Sequence, residues 1–285
     1  MSSSTPCSAC TWTADRQENC RYNSNVKLFY GVSDRGVWSL GSRYILKERS
    51  SQPPNSEVPN LRFLKEHTSI PIPTVVRSWE EDGRAFAIMD RVPGTPLSAI
   101  WSTLSEVEKK SIAKQTAEYL GQLRELHSNT MQGLHDQPIY SAFLFPTGYG
   151  VPHGPFSSDD ELWSEMKQAL QGIPEDVCLR LRERMPSAAP YTFTHGDLTF
   201  VNIMVDDGRV TGILDWESSG YFPVWWEFTC AGIGLSNEDK EWKNLLHRYM
   251  PDHTNAREFW LDFYALSKYP NLNERGMALL KSTTK

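Results

Sequence analysis

The chain has 285 residues, 39% of them hydrophobic and 12% aromatic, which supplies a sizeable buried core and excludes a largely disordered chain. Its net charge of −6 argues against a phosphate backbone as main partner, because nucleic-acid binders present a basic face; a cationic or neutral small substrate suits it better. No stretch approaches the roughly eighteen apolar residues that a spanning helix needs, so neither nucleic acid nor membrane is expected as a partner.

The N-terminus, Met1-Ser-Ser-Ser-Thr-Pro-Cys-Ser-Ala-Cys10, lacks a basic start and an apolar core, so no secretory signal is read there. The odd number of cysteines, five, suits reduced thiols in the cytoplasm rather than a disulfide scaffold. Cys7, Cys10 and Cys20 hint at a metal knuckle but lack a fourth ligand at useful spacing, and residues 1–25 read as a polar tail. Strand-like runs follow at Val26–Tyr30, Val37–Leu40 and Tyr44–Lys47, punctuated by Gly31, Gly36 and Gly41-Ser42. Leu61–His67 has the pattern of a short amphipathic helix that Pro71 and Pro73 end, and Val75–Trp79 and Ala85–Met89 predict two more strands.

Past Asp90-Arg-Val-Pro-Gly94 the character changes. Ser105 and Glu108 form a capping box before apolar residues at helical spacing, and that helix runs to about His127. A second helix starts at Ser158 with Glu161 and stops at Gly172, and helices dominate from Glu238 to Leu280. The chain divides into a tail (1–25), a β-rich lobe (26–89), a hinge (90–94) and a helical lobe (95–285).

The densest chemistry lies in Thr194-His-Gly-Asp-Leu-Thr-Phe-Val-Asn202 and Ile213-Leu-Asp-Trp-Glu217. Asn202–Val205 and Val210–Leu214 are apolar runs separated by Asp206-Asp207-Gly208-Arg209, a hairpin signal. Folding that hairpin brings the amide of Asn202 near the carboxylate of Asp215, an oxygen-rich pair that suits magnesium. Asp197, upstream on an irregular loop, then stands where it can accept a proton from an attacking hydroxyl.

His-Gly-Asp-Leu, an Asn five residues after the Asp, and Ile-Leu-Asp-Trp-Glu together resemble the aminoglycoside phosphotransferase/choline kinase-type family of small-molecule kinases. The resemblance extends over most of 26–285 and implies an α+β, protein-kinase-like bilobal fold. It implies ATP-dependent transfer to a hydroxyl of an amine-bearing metabolite, antibiotic or natural product. By the same resemblance Asp197 is the catalytic base, Asn202 and Asp215 hold magnesium, and His195 and Glu227 support the catalytic loop. Lys47 is similar in position to the family lysine that contacts phosphates, with Glu57 as its partner; Pro59 lets a helix begin only near Glu57. Gly31 to Gly36 would lay backbone N–H groups over phosphates, though Val37-Trp38 rules out a P-loop. Main-chain groups of Asp90 and Val92 would meet adenine.

On the acceptor side, the irregular stretch Asn129–Ser157 is expected to line or cover the site. Its aromatics suit a ring-bearing acceptor, whereas Asp159, Asp160, Glu161 and Glu217 would suit an amine. Two alternatives stay open at this level: a non-catalytic nucleotide- or metabolite-binding protein on the kinase fold, and a family member turned to other ATP-linked natural-product chemistry.

Overall fold

The computed structural model describes residues 25–146, 148, 150–234 and 236–281. Residues 1–24 of the tail, with Cys7, Cys10 and Cys20, lie outside them. Five antiparallel strands form the first layer: β1 Val26–Val32, β2 Arg35–Leu40, β3 Tyr44–Ser50, β4 Val75–Glu81 and β5 Arg84–Asp90, in the spatial order β1-β2-β3-β5-β4. β5 shows why one face turns inward: Ala85, Ala87 and Met89 are buried and alternate with partly exposed neighbours, the period of a half-buried strand.

Helix α1, Glu57–His67, packs beside this sheet. It begins four residues earlier than its apolar pattern predicted. Pro59 falls in the first turn, where its missing N–H breaks no helical bond, and the buried residues Asn60, Leu61 and Leu64 recur at helical spacing.

Beyond the sheet, α2 Glu106–Arg124 carries the expected capping box of Ser105 and Glu108. Strands β6 Thr95–Pro96, β9 Ile203–Asp206 and β10 Arg209–Ile213 form one small sheet; β7 His127–Ser128, β8 Tyr191–Thr194 and β11 Gly220–Pro223 form another. Helices α3 Asp159–Lys167, α4 Glu175–Glu183, α5 Trp226–Cys230, α6 Asn237–His247, α7 Thr254–Leu266 and α8 Glu274–Lys281 complete the helical part. One apolar cluster joins Leu61 and Leu64 of α1 to Trp216, the β9–β10 hairpin and α6, so the sheet layer and helical part share a core at the site. A second cluster lies between α3, α4, α5 and α7.

The β9–β10 hairpin turns at Asp207 (φ 46°) and Gly208 (φ 72°), with Asp206 opposite Arg209. The connection after β5 lies flat on it. A Cβ at Gly212 would fall 2.4 Å from Val92 Cγ1, and one at Gly94 (φ 98°) would fall 2.5 Å from the Val205 carbonyl oxygen. Glycine at both positions permits this close approach.

Candidate functional site

β8 is buried throughout and delivers the chain to His195, whose imidazole is inaccessible to solvent. Its Nε2 lies 2.9 Å from the Leu214 carbonyl oxygen and donates to it, while Nδ1 accepts from the Asp197 N–H at 3.1 Å. Both contacts are satisfied by one neutral tautomer, and burial holds the imidazole below its ordinary pKa. His195 therefore braces the loop. Its own N–H donates to Glu227 Oε2 at 2.5 Å, and burial pushes the Glu227 carboxyl up.

Asn202 donates from Nδ2 to the Asp197 carbonyl oxygen at 2.9 Å and approaches Asp197 Oδ2 at 3.5 Å. The Leu214 N–H donates to the Asn202 carbonyl oxygen at 2.8 Å, so the hairpin brings Asn202 beside the strand end that leads to Asp215. Burial, then the like charge of Asp215, pushes Asp197 up to about 6. The Asp197 and Asp215 carboxylates are close enough to feel each other.

Asp215 has a left-handed backbone (φ 64°, ψ 65°), sparsely populated for a residue with a side chain. Side chains from the sheet layer and α1 hold it there. Lys47 Nζ lies 2.5 Å from Glu57 Oε1 and 3.5 Å from Asp215 Oδ1. Burial works against the ammonium, but the Glu57 and Asp215 carboxylates outweigh it and raise the Lys47 pKa. Glu57 is the first residue of α1, and a helix that starts there leaves its carboxylate within reach of Lys47.

Four residues that the sequence analysis did not single out tie the same segment down. Asn60 Nδ2 donates to the Trp216 carbonyl oxygen at 2.8 Å. Ser56, at the N-cap of α1, gives its hydroxyl to the Glu217 carbonyl oxygen at 2.6 Å instead of capping the helix. Arg35 binds Glu217 Oε1, and Arg49 binds Glu217 Oε2 at 2.8 Å. The one sequence-level signal was Arg49, two residues from Lys47 and on the same face of β3. From α6, Asp239 Oδ1 accepts from the Phe200 N–H at 3.0 Å while paired with buried Lys243 at 3.2 Å.

Gly31 and Gly36 face each other across the β1–β2 hairpin, whose turn is Ser33-Asp34. The Asp90 N–H is used by the Thr74 carbonyl oxygen at 2.9 Å, and that of Arg91 by Arg43 at 2.7 Å. Among the described residues no hydrogen bond takes up the Val92 N–H.

Each of the four acids that suggested an amine-binding site has a partner in the structure. Asp159 accepts from the Ala188 N–H, Asp160 pairs with Arg182, Glu161 caps α3 through Ser157, and Glu217 holds the two arginines.

The donor set of Asn202 and Asp215, one amide oxygen and one carboxylate with a partly exposed side chain (36%), fits magnesium, which takes few protein ligands and fills its shell with water and phosphate oxygens. Among the described residues no group of three His, Cys, Asp or Glu side chains forms a richer metal site.

The chain is 25% identical over 228 residues to an aminoglycoside 3'-phosphotransferase of Streptomyces fradiae, covering 77% of this chain and 80% of that protein. An aminoglycoside phosphotransferase solved with ADP superposes at a TM-score of 0.60, with 16% identity over 94% of this chain and 93% of that one. A thermostable mutant of another, in a ternary complex with AMP-PNP and hygromycin B, gives 0.59 with 15% identity over 94% and 97%. These likenesses carry the α+β, kinase-like fold. The sequence model of the phosphotransferase enzyme family matches residues 30–259, and the chain belongs to that family.

Proposed function

We propose that this protein transfers the γ-phosphoryl group of ATP to a hydroxyl of a small molecule, a metabolite, antibiotic or natural product. The observation that carries the reading is the joining of Asp197, Asn202 and Asp215 at one hairpin mouth with the Lys47–Glu57 pair beside it. ATP is further supported by the nucleotides named in the related solved complexes. In this reading residues 26–89 form the nucleotide-binding lobe, 90–94 the hinge and 95–285 the lobe that carries the acceptor. Main-chain groups of Asp90 and Val92 meet adenine, and the Gly31–Gly36 hairpin covers the phosphates.

Asp197 is the base. It receives the hydroxyl proton as the acceptor oxygen bonds to the γ-phosphorus and the bond from that phosphorus to the ADP oxygen breaks. A carboxylate raised by burial is a stronger proton acceptor than a solvated one. Lys47, kept charged by its two carboxylate neighbours, offers a fixed cation to phosphate oxygens. Asn202 and Asp215 would hold magnesium, which when bound neutralises phosphate charge. His195 and Glu227 act on the geometry of Asp197 and make no contact with the reacting atoms.

No helix among the described residues is long and apolar enough to cross a membrane, and a cytoplasmic location is part of the proposal. Calorimetric titration with Mg-ATP tests the roles. Asp197→Asn is expected to bind Mg-ATP within about twofold of wild type while losing transfer by about 10²–10⁴. Asp215→Ala is expected to weaken Mg-ATP binding itself; unchanged affinity there refutes the metal assignment.

A further inference from the structure

The catalytic loop is held from two sides. Upstream of Asp197 the hold is that of His195 and Glu227. Downstream, residues 198–200 are gripped by α6. The Trp242 indole Nε1 donates to the Leu198 carbonyl oxygen at 3.2 Å, and the Phe200 N–H donates to Asp239 Oδ1 at 3.0 Å. These two bonds flank Thr199, whose own N–H donates to the Asp197 carbonyl oxygen at 2.9 Å. Two side chains of one helix are thus tied, through a single residue, to the main chain of the base.

Asp239, Trp242 and Lys243 stand at i, i+3 and i+4 and share one face of α6. All three are buried, Asp239 and Trp242 completely. A buried carboxylate is costly without a counter-charge; Lys243 Nζ supplies one 3.2 Å away while donating to the Ile233 carbonyl oxygen. Such a pair is a weak source of stability, since apolar side chains of the same volume often serve as well. What apolar side chains cannot do is accept the Phe200 N–H, and a carboxylate accepts it more strongly than a neutral group. The seat of α6 is itself fixed. Glu241 accepts from Lys109 Nζ of α2 at 2.9 Å and from Trp101 Nε1 at 3.0 Å, and Trp101 packs edge-on against Trp242 with ring centres 6.0 Å apart. Asn202 has a separate hold, because its carbonyl oxygen takes the Leu214 N–H at 2.8 Å. The grip of α6 therefore bears on the base more than on the pair of Asn202 and Asp215.

We propose that Asp239 and Trp242 are positioning residues for Asp197: α6 fixes residues 198–200 so that the Asp197 carboxylate keeps its aim at the acceptor hydroxyl, separately from the hold of His195 and Glu227. The proposal rests on the kinase reading above and adds residues to the same site. With no exposed surface, neither side chain reaches substrate or nucleotide. Their effect is geometric, and a shift of about 1 Å in a reacting group is enough to slow a reaction about a hundredfold.

The test compares Trp242→Phe with Trp260→Phe in the full-length protein. Trp260 is 4% exposed and its Nε1 also donates to a main-chain carbonyl, that of Phe143, at 3.2 Å, but it belongs to the second apolar cluster. Turnover of Mg-ATP to ADP is measured with water as acceptor: the water oxygen bonds to the γ-phosphorus, the bond to the ADP oxygen breaks, and Asp197 takes the proton. For Trp242→Phe the expected result is a kcat at least about tenfold lower, Mg-ATP affinity by calorimetry within about threefold of wild type, and amide hydrogen exchange across 198–200 at least about tenfold faster. Trp260→Phe is expected to keep both turnover and that exchange within about twofold, as a distant site should. Equal slowing by the two variants overturns the proposal, because lost stability then accounts for both. Unchanged exchange in Trp242→Phe, faster exchange with unchanged kcat, or a loss of Mg-ATP affinity matching the loss of kcat also overturns it. Asp239→Asn, which keeps an oxygen for the Phe200 N–H, is expected to retain more turnover than Asp239→Ala; equal losses overturn the part given to Asp239. Should wild type turn over no Mg-ATP, exchange alone decides the positioning, and calorimetry judges the kinase reading separately: retained Mg-ATP binding supports it and lost binding removes it.

Discussion

Replacing Glu217 by glutamine removes a negative charge that both Arg35 and Arg49 bind and loosens the segment that carries Asp215. The pair with Arg49 is the more enclosed, with side chains 13% and 17% exposed, and a buried pair broken on one side costs about 3–5 kcal/mol. Glutamine keeps one acceptor oxygen, which lowers that figure, and the Arg35 contact is discounted because its side chain is a third exposed. About 2–3 kcal/mol is left, equivalent to roughly 4–10 °C in the melting temperature for a chain of this size. Part of it falls on ligand binding. Asp215 occupies a left-handed backbone that costs about 1 kcal/mol or more and persists only where its surroundings hold it, and Glu217 is two residues away. A loss of about 1.4 kcal/mol in the ordered state weakens Mg-ATP binding about tenfold. Scanning calorimetry and titration with Mg-ATP read the two effects. A double-mutant cycle with Arg49→Gln should show coupling above about 1 kcal/mol. A melting temperature within about 1 °C of wild type together with unchanged Mg-ATP affinity refutes the reasoning.

Gly94→Ala forces a Cβ to within 2.5 Å of the Val205 carbonyl at a φ of 98°, and backbone cannot yield cheaply; a loss of about 2–4 kcal/mol by denaturant unfolding is expected. Gly212→Ala meets the side chain of Val92 instead, so it should shift residues 90–94, the proposed hinge, and weaken Mg-ATP binding by calorimetry more than it lowers stability. His195 gives a pH dependence. Burial depresses its folded-state pKa below the roughly 6.5 of the unfolded chain. Its contribution to stability is therefore complete above about pH 6.5 and is lost as the pH falls through that value towards the lower folded one. Melting temperatures from pH 8 to 5 should fall more steeply in wild type than in His195→Gln; parallel curves contradict the assignment.

The hairpin and its neighbours were readable because their signals are local. Asp206-Asp207-Gly208-Arg209 demands a tight turn whatever surrounds it, and period-2 alternation in Ala85–Met89 marks one buried face without reference to a partner. Once the turn is known, the meeting of Asn202 with the end of β10 follows from strand register alone. The missed features are non-local. Arg35 and Glu217 stand 182 positions apart, and Asn60 and Trp216 stand 156 apart. No periodicity links such residues. The partners of the acids at the start of α3 were hidden for the same reason, since a run of acids at a helix start shows its charge in the sequence but not the Arg182 side chain or Ala188 N–H that meets it.

Four of the six carboxylates between positions 197 and 227, those of Asp197, Asp215, Glu217 and Glu227, share one functional group and differ in everything that decides its use. Glu227 is fully enclosed and meets a backbone N–H, so it can only brace. Glu217 meets two guanidiniums, so its charge is consumed in joining the sheet layer to the helical part. Asp215 shares Lys47 with Glu57 and stays partly exposed, which leaves it a carboxylate oxygen to offer a cation. Asp197 meets an amide and the like charge of Asp215 and is driven up to about 6. Asp197 and Glu227 both lack an ion pair and are both raised, and of the two only Asp197 stays partly open to solvent, where a base can take a proton. The division of labour follows from the partners, and a change in any one partner should move a role rather than merely weaken it.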